Sequence, residues 1–167
     1  MRLELLQEGA GFQIARVGSL LVTTHAQAAT VLMVDALQSV LAAQEATYKR
    51  FSVLAVVSGT GIRSPESGLK ERVVAQERRF EKAIIGAAVC IEARGLPAIF
   101  TRSFLTAYTL LSSHQFELKS FGTLEAGVSW LQSLPGQDSV FSGDLTCAAA
   151  VRTLTGQGAA TTSTTAR

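Results

Sequence analysis

The sequence predicts an α/β fold in which helices pack on a mainly parallel sheet, in the order β-β-α-β-α-β-α-β-α. Three observations lead to this prediction: a short apolar hairpin near the N-terminus, two valine- and isoleucine-rich runs, and helical periodicity between them. The two runs, at 51–57 and 84–91, are typical of strands that are buried on both faces. Strands that alternate with helices favour a parallel sheet, but they leave open whether the helices cover one face or both.

The opening of the chain predicts a hairpin and then a long helix. Phe12–Val17 and Leu20–Val22 predict two short strands, and Gly18-Ser19 between them suits a two-residue type II′ turn with glycine first. From Ala26 to Tyr48 the apolar residues recur three and four positions apart, which indicates an amphipathic helix. Its predicted buried stripe consists of Met33, Val34, Leu37, Val40 and Leu41.

A central strand, a loop and a charged helix follow. Phe51–Val57 predicts the strand, and Ser58-Gly59-Thr60-Gly61 ends it because glycine and small polar residues are typical of loops. Ser64-Pro65-Glu66 predicts the helix start. The serine caps free N–H groups, the proline fits the first helical position, and the glutamate lies in the field of the helix N-terminus. We expect this helix to run to about Ile84, with its charged residues on a solvated face.

The second half of the chain predicts two more strands and two more helices. Ile84–Ile91 has an all-apolar strand pattern, and a helix is predicted from Gly95 to about Leu111. Phe116–Phe121 carries charges at alternate positions, as expected of a strand near the edge of a sheet. Thr123 is the predicted N-cap of a last helix, which Pro135-Gly136 ends.

We expect one domain at 1–136 and a low-complexity, disordered tail at 137–167. The tail loses periodicity and closes on a Gly-, Thr- and Ala-rich segment that is almost free of large apolar groups. Such a composition cannot bury enough surface to offset the entropy of ordering the chain. Only a weak helical turn is predicted within the tail, around Leu145–Val151.

Composition narrows the class of protein. Apolar residues make up 47% and charged residues 17% of the 167 residues, which is typical of one globular domain. The net charge of +2, without a run of more than two basic residues, argues against a nucleic-acid partner. No apolar run reaches the roughly 20 residues of a membrane span, and the N-terminus lacks a signal-peptide pattern. We therefore expect a cytoplasmic protein in which Cys90 and Cys147 remain reduced.

The loop after the central strand is the candidate binding site. In open α/β sheets such strand-to-helix loops lie at the carboxyl edge of the sheet, where ligands usually bind. Glycines at a helix start allow a phosphate to be cradled, although no Gly-Lys-Ser/Thr follows and an ordinary flexible loop is the alternative. The candidate binding residues are Ser58, Gly59, Thr60, Gly61, Ser64, Glu66 and Ser67.

Side chains of the usual catalytic and metal-binding types are scattered along the chain. His25 and His114 have no second ligand at metal spacing, so we expect no metal site and interpret both as loop or capping residues. Cys90 lies between apolar neighbours, which indicates a small buried hydrophobe rather than a nucleophile. We expect no catalytic residue and no cofactor.

The order of the predicted elements, with its opening hairpin and the strand–loop–helix at Val53–Leu69, and two short motifs resemble a known family. The closing segment FGTLEAGVSWL and the loop end Ser67-Gly68-Leu69 are similar to STAS domains, the fold of bacterial anti-sigma-factor antagonists, also called the sporulation stage II AA-like fold. The resemblance covers 11–134, and closing segments of this pattern are familiar in uncharacterised bacterial STAS-like proteins. The matching positions in the closing segment are Phe121, Thr123, Glu125, Ala126, Trp130 and Leu131.

The family's signature loop ends Asp-Ser-Ser-Gly-Leu, and a partner kinase phosphorylates one of its serines. Here Pro65 stands at the aspartate position and Glu66 at the usual phospho-acceptor position. A permanent acid therefore replaces the residue that relatives switch by phosphorylation.

The resemblance implies a non-catalytic regulatory or protein–protein interaction module with a protein partner that the sequence does not identify. An alternative is a domain that binds a small apolar ligand or lipid through the aromatic-rich segment Leu96–Leu111. A second alternative is an enzyme whose site is not legible in one sequence. Self-association of the chain is left open.

Overall fold

The computed structural model describes residues 3–27, 30–61, 68–92, 115–137, 141 and 146–155. Within these ranges the chain forms six strands and four helices. The strands are β1 (Glu4–Gly9), β2 (Phe12–Val17), β3 (Leu20–Gln27), β4 (Phe51–Gly61), β5 (Ile84–Ile91) and β6 (Glu117–Phe121). The helices are α1 (Val31–Tyr48), α2 (Leu69–Phe80), α3 (Leu124–Ser133) and α4 (Thr146–Leu154).

The strands form one mixed sheet in chain order, from β1 to β6. β1 and β2, and then β2 and β3, pair antiparallel, whereas the three pairs from β3 to β6 are parallel. The predicted α/β class with a mostly parallel sheet is confirmed.

The predicted hairpin is confirmed, and one further strand precedes it. Val17 pairs with Leu20 across the turn, and Gly18 has a φ of 57° while Ser19 does not have a positive φ, as a type II′ turn requires. β1 was not predicted. Its register shifts between Leu5 and Gln7, and this β-bulge breaks the period-two pattern by which a strand is recognised in sequence.

Helices cover both faces of the sheet, which answers the question that the sequence left open. Phe51 of β4 packs in one core cluster with Val40 and Leu41 of α1 and with Phe80 at the end of α2. Leu54 and Val56, at the alternate positions of the same strand, pack in a second cluster with residues of α3 and α4. Because β4 is apolar on both faces, it belongs to two cores at once.

The first long helix begins later than predicted. β3 continues to Gln27, so Ala26 lies in a strand, and α1 begins at Val31. Thr30 is the N-cap, and its hydroxyl accepts a hydrogen bond from the backbone N–H of Met33 at 3.3 Å. The predicted buried stripe is confirmed: four of its five residues are buried, and Leu37 is partly buried.

The second helix is shorter than predicted at both ends. Gly68 has a φ of 81°, a left-handed conformation that a right-handed helix cannot include, so α2 begins at Leu69. It ends at Phe80, and Ile84 is the first residue of β5. The predicted helix start, Ser64-Pro65-Glu66, lies outside the described residues.

β5, β6 and α3 form where the sequence predicts them. β5 has the predicted bounds, and β6 is the last strand of the sheet within the described chain. Thr123 caps α3, with its hydroxyl accepting from the N–H of Ala126 at 3.3 Å. Trp130 is half-buried and lies against Phe121, with 5.5 Å between the ring centroids.

Described residues that follow the predicted domain end at 136 pack on the rest of the protein. Gln137 donates hydrogen bonds to Ser52 Oγ at 2.7 Å and to the carbonyl oxygen of Leu131 at 2.9 Å. Phe141, Cys147 and Val151 are fully buried in the same cluster as Leu54. The domain therefore extends to at least Thr155, and the weak helical turn predicted in this region is the full helix α4.

Two predicted segments lie outside the described residues: the helix from Gly95 to Leu111 and the last part of the tail, 156–167. Of the helices in the described ranges, none combines the length and apolar character that crossing a membrane requires.

Truncation of the chain tests the revised domain end. A chain that ends at Gly136 should lose at least about 5 kcal/mol of unfolding free energy, because it lacks three fully buried side chains, one of them a phenylalanine. The matched control ends at Thr155 and should melt within a few degrees of the full chain. Thermal unfolding followed by circular dichroism measures both, and equal midpoints for the two truncations would contradict the docking of α4.

Gly127 tests how closely α3 approaches the sheet. A Cβ at this position would overlap Cys90 Sγ of β5 and touch Phe121. Gly127→Ala should therefore destabilise the protein by about 1–3 kcal/mol in spite of alanine's higher helix propensity. Cys90→Ala should restore most of this loss, which a double-mutant cycle in urea measures. The control is Gly122→Ala, where nothing lies within 4 Å of the new Cβ.

Candidate functional site

The four parallel strands end at one edge of the sheet, which we call the carboxyl edge. It comprises the ends of β3 and β4, Glu92 after β5, and Phe121 at the end of β6. Three helices begin beside it, at the N-caps Thr30, Gly68 and Thr123. The N–H groups of a first helical turn point out of the helix, and side chains cap one of them in α1 and one in α3, whereas Gly68 provides no side-chain cap for α2.

At this edge β4 extends beyond the end of β5 and is bulged relative to β3. Between His25 and Gln27, β3 advances by two residues while β4 advances by four, from Val57 to Gly61. β4 therefore carries two extra residues in a bulge, and β-bulges are frequent beside functional sites. On the other side β5 accompanies β4 only as far as Val57, whose carbonyl accepts from the N–H of Glu92 at 3.0 Å.

The first half of the predicted binding loop is this projecting strand end. Ser58, Gly59, Thr60 and Gly61 were predicted to end the strand, but they lie in β4 and Gly61 pairs with Gln27. The bulge explains the difference: small residues interrupt the apolar pattern while the strand continues. Ser58 is half-buried. The remaining candidates, Ser64, Glu66 and Ser67, lie outside the described residues, so their position relative to β4 stays a prediction.

His25 lies at the carboxyl edge within β3, not in a loop as predicted. Its Nε2 lies 2.9 Å from Thr23 Oγ1, and its Nδ1 lies 3.1 Å from Met33 Sδ in the first turn of α1. A thioether sulfur only accepts hydrogen bonds, so Nδ1 carries the proton and Nε2 accepts from the threonine hydroxyl. Both ring nitrogens are thus engaged in holding β3 to α1.

The ring of His25 is uncharged at neutral pH. Burial lowers its pKa from 6.5 to about 4, because the imidazolium form would lose its hydration. The apolar cluster at this end of the molecule consists of Met33, Val34 and Leu69, with Phe12, Val31 and Val73 packed against it. His25 therefore acts as a structural link in this region.

An exposed ion pair joins α1 to α2 near the same edge. Arg72 donates to Asp35 Oδ1 at 2.6 Å, and about half of each side chain is exposed. Gly68, immediately before α2, contributes no side-chain cap. The outer surface of α1 and α2 therefore carries charged side chains close to Gly68, the residue at which the described chain resumes after β4.

Two other titratable groups have strongly shifted pKa values. Burial on α2 raises the pKa of Glu77 to about 8, so this carboxyl is mostly protonated at neutral pH. Burial also raises the pKa of Cys90 to about 12, with further contributions from the charges of Glu92 and Glu125. A thiol with this pKa is not a nucleophile, in agreement with its interpretation as a buried hydrophobe.

The described residues assemble no recognisable catalytic or metal-binding group. No cluster of three or more His, Cys, Asp or Glu side chains suited to a metal ion occurs among them. Sequence reasoning missed the link from Thr23 through His25 to Met33. The available signal was Thr30, a good N-cap three residues before Met33, which places the start of α1 next to His25.

No family model, curated protein or solved structure matches this chain.

The pH dependence of stability tests the neutral state of His25. Between about pH 6.5 and pH 4 the unfolded chain binds a proton at His25 that the folded protein does not, so stability falls as the pH is lowered. From pH 7 to pH 5, wild type should lose about 1–2 kcal/mol more than His25→Gln. Urea midpoints of both proteins at the two pH values measure the difference.

The comparison with His25→Gln isolates this histidine because Glu77 is present in both proteins. The raised pKa of Glu77 acts in the opposite direction, lowering stability as the pH rises between about 4.5 and 8, and it cancels in the subtraction. Equal pH slopes for the two proteins would show that the ring of His25 is accessible to protons in the folded state.

Proposed function

We propose that this protein is a non-catalytic regulatory module that binds a protein partner through the carboxyl edge of its sheet. The observation that carries the proposal is the bulged end of β4, Ser58–Gly61, which extends past β5 beside the N-termini of α1 and α2. Within the described chain, β4 has no pairing with β5 beyond Val57, and backbone groups along an unpaired strand edge are those that extended partner segments recognise.

The chemistry of this edge supports binding rather than catalysis. The ring nitrogens of His25 are occupied by Thr23 and Met33, and Asp35 is paired with Arg72. A general base needs an accessible lone pair within reach of a substrate proton, and His25 does not offer one.

The resemblance to STAS domains supports the same proposal. The elements on which it rests are formed in the described structure: the β2–β3 hairpin, the succession of β4 and α2, and the helix α3 of the closing segment. In this interpretation Glu66, at the position where STAS domains carry a phospho-acceptor, presents a permanent negative charge to the partner. The alternative site for an apolar ligand, Leu96–Leu111, lies outside the described residues, and no observation favours it.

Site-specific crosslinking tests the proposed surface. A photoreactive amino acid is placed at Glu71, an exposed residue in the first turn of α2 at the carboxyl edge. The matched control position is Glu45, an exposed residue near the end of α1 at the opposite edge. In cells that express the chain naturally, we expect a discrete adduct from position 71 and none from position 45.

The charge of Glu66 is tested in the same assay. Glu66→Gln should reduce the adduct from position 71 several-fold, and a thermal midpoint equal to that of wild type would show that the loss is not caused by unfolding. Adducts of equal yield from positions 71 and 45 would place the interface elsewhere. If the only adduct contains a second copy of this chain, the surface serves self-association and the proposal of a different protein partner is wrong.

A further inference from the structure

The last described helix, α4, packs against α3 and joins the same core cluster on one face of the sheet. Gly127 of α3 lies against Cys90 of β5, and Gly86 of β5 lies against Leu134, so α3 runs over β5. The segment after α3 crosses towards β4, where Gln137 binds Ser52. The sheet residues of the cluster shared with α4 are all fully buried: Val17, Leu20, Val22, Leu54 and Val56.

Among the residues that the structure describes, four side chains of α4 pack in the core cluster. Cys147 and Val151 are its fully buried side chains, and Ala148 and Leu154 are partly buried. All the strand pairings of the sheet are formed without α4. A nine-residue helix is only marginally stable on its own, so loss of its packing also unfolds it.

Within the described ranges, an ion pair between Arg152 and Glu125 joins α4 to α3. Arg152 Nε donates to Glu125 Oε1 at 2.9 Å, and Arg152 Nη2 donates to the same oxygen. The hydrogen bond from Arg152 holds the pKa of Glu125 below its ordinary value, so the pair persists over a wide pH range. More than a third of each side chain is exposed, so the attraction is sensitive to salt.

We propose that α4 is a releasable strap, latched by the Glu125–Arg152 pair, that opens without unfolding the sheet and uncovers part of the apolar cluster in which it packs. Phe141, buried ahead of α4, is the fixed point from which the strap opens. Elements with few buried contacts and an exposed attachment occupy the low-stability end of a fold. The strap lies on the opposite face of the sheet from α1 and α2, and its test on the isolated protein needs no partner, so its outcome does not depend on the proposed function.

The two native cysteines report on the two kinds of opening. Cys147 belongs to α4 and is buried where this helix packs on the rest of the protein. Cys90 belongs to β5 and is buried under α3, next to Gly127. Neither thiol is accessible to a reagent in the closed protein. Release of the strap exposes Cys147 alone, whereas global unfolding exposes both.

The experiment is alkylation of the full-length protein under native conditions, with each cysteine followed by peptide mass spectrometry. Cys147 should react at least about tenfold faster than Cys90, since local opening requires less free energy than global unfolding. Glu125→Gln and Arg152→Gln should each raise the Cys147 rate about two- to fivefold, the factor expected of a partly exposed ion pair. High salt should raise the wild-type Cys147 rate in the same direction.

Asp35→Asn is the matched control, because it removes an ion pair of similar exposure that joins α1 to α2 on the other face. It should leave the ratio of the two alkylation rates unchanged. Equal rates at Cys147 and Cys90 in wild type would overturn the strap, since opening would then be global. A ratio that responds to Asp35→Asn as strongly as to Glu125→Gln would overturn the latch. Circular dichroism melts confirm that each variant is folded.

Discussion

The structure depends on covering both faces of the parallel strands, above all β4. Phe51 and Val53 point to the core under α1 and α2, while Leu54 and Val56 point to the core under α3 and α4. An apolar strand in the middle of a parallel sheet is stable only when helices cover both sides. In the described chain, α1 and α2 lie on one side and α3 and α4 on the other.

Small residues at the points of contact allow the C-terminal helices to pack closely. α3 approaches β5 closely because Gly127 has no side chain to separate the helix from Cys90. Beside it, α4 carries alanines, Cys147 and Val151, and a helix of small residues can lie close to a sheet. The same composition that lets α4 fit makes it resemble a tail in sequence, because composition-based criteria look for large apolar groups.

The sequence predicts the regular parts of the fold well and its irregular parts poorly. The apolar run Ile84–Ile91 and the Thr123 cap gave β5 and α3 their correct bounds, since period and capping chemistry are local properties. The failures each have a non-local cause. β1 and the end of β4 contain bulges, and the apparent break at Ser58 is a strand held by pairing between Gly61 and Gln27. Packing on a distant strand likewise orders Phe141 and α4.

The candidate site follows the same division. Its location at the end of β4 follows from chain order alone, because parallel strands with helical crossovers end at one edge. The engagement of His25 does not, because it requires knowing that Met33 and Thr23 lie on either side of the ring. The sequence predicts His25 as a loop or capping residue, but contacts with Thr23 and Met33 engage both of its ring nitrogens. The position of a site can thus be predicted from topology, whereas the state of a side chain within it depends on contacts between residues far apart in the chain.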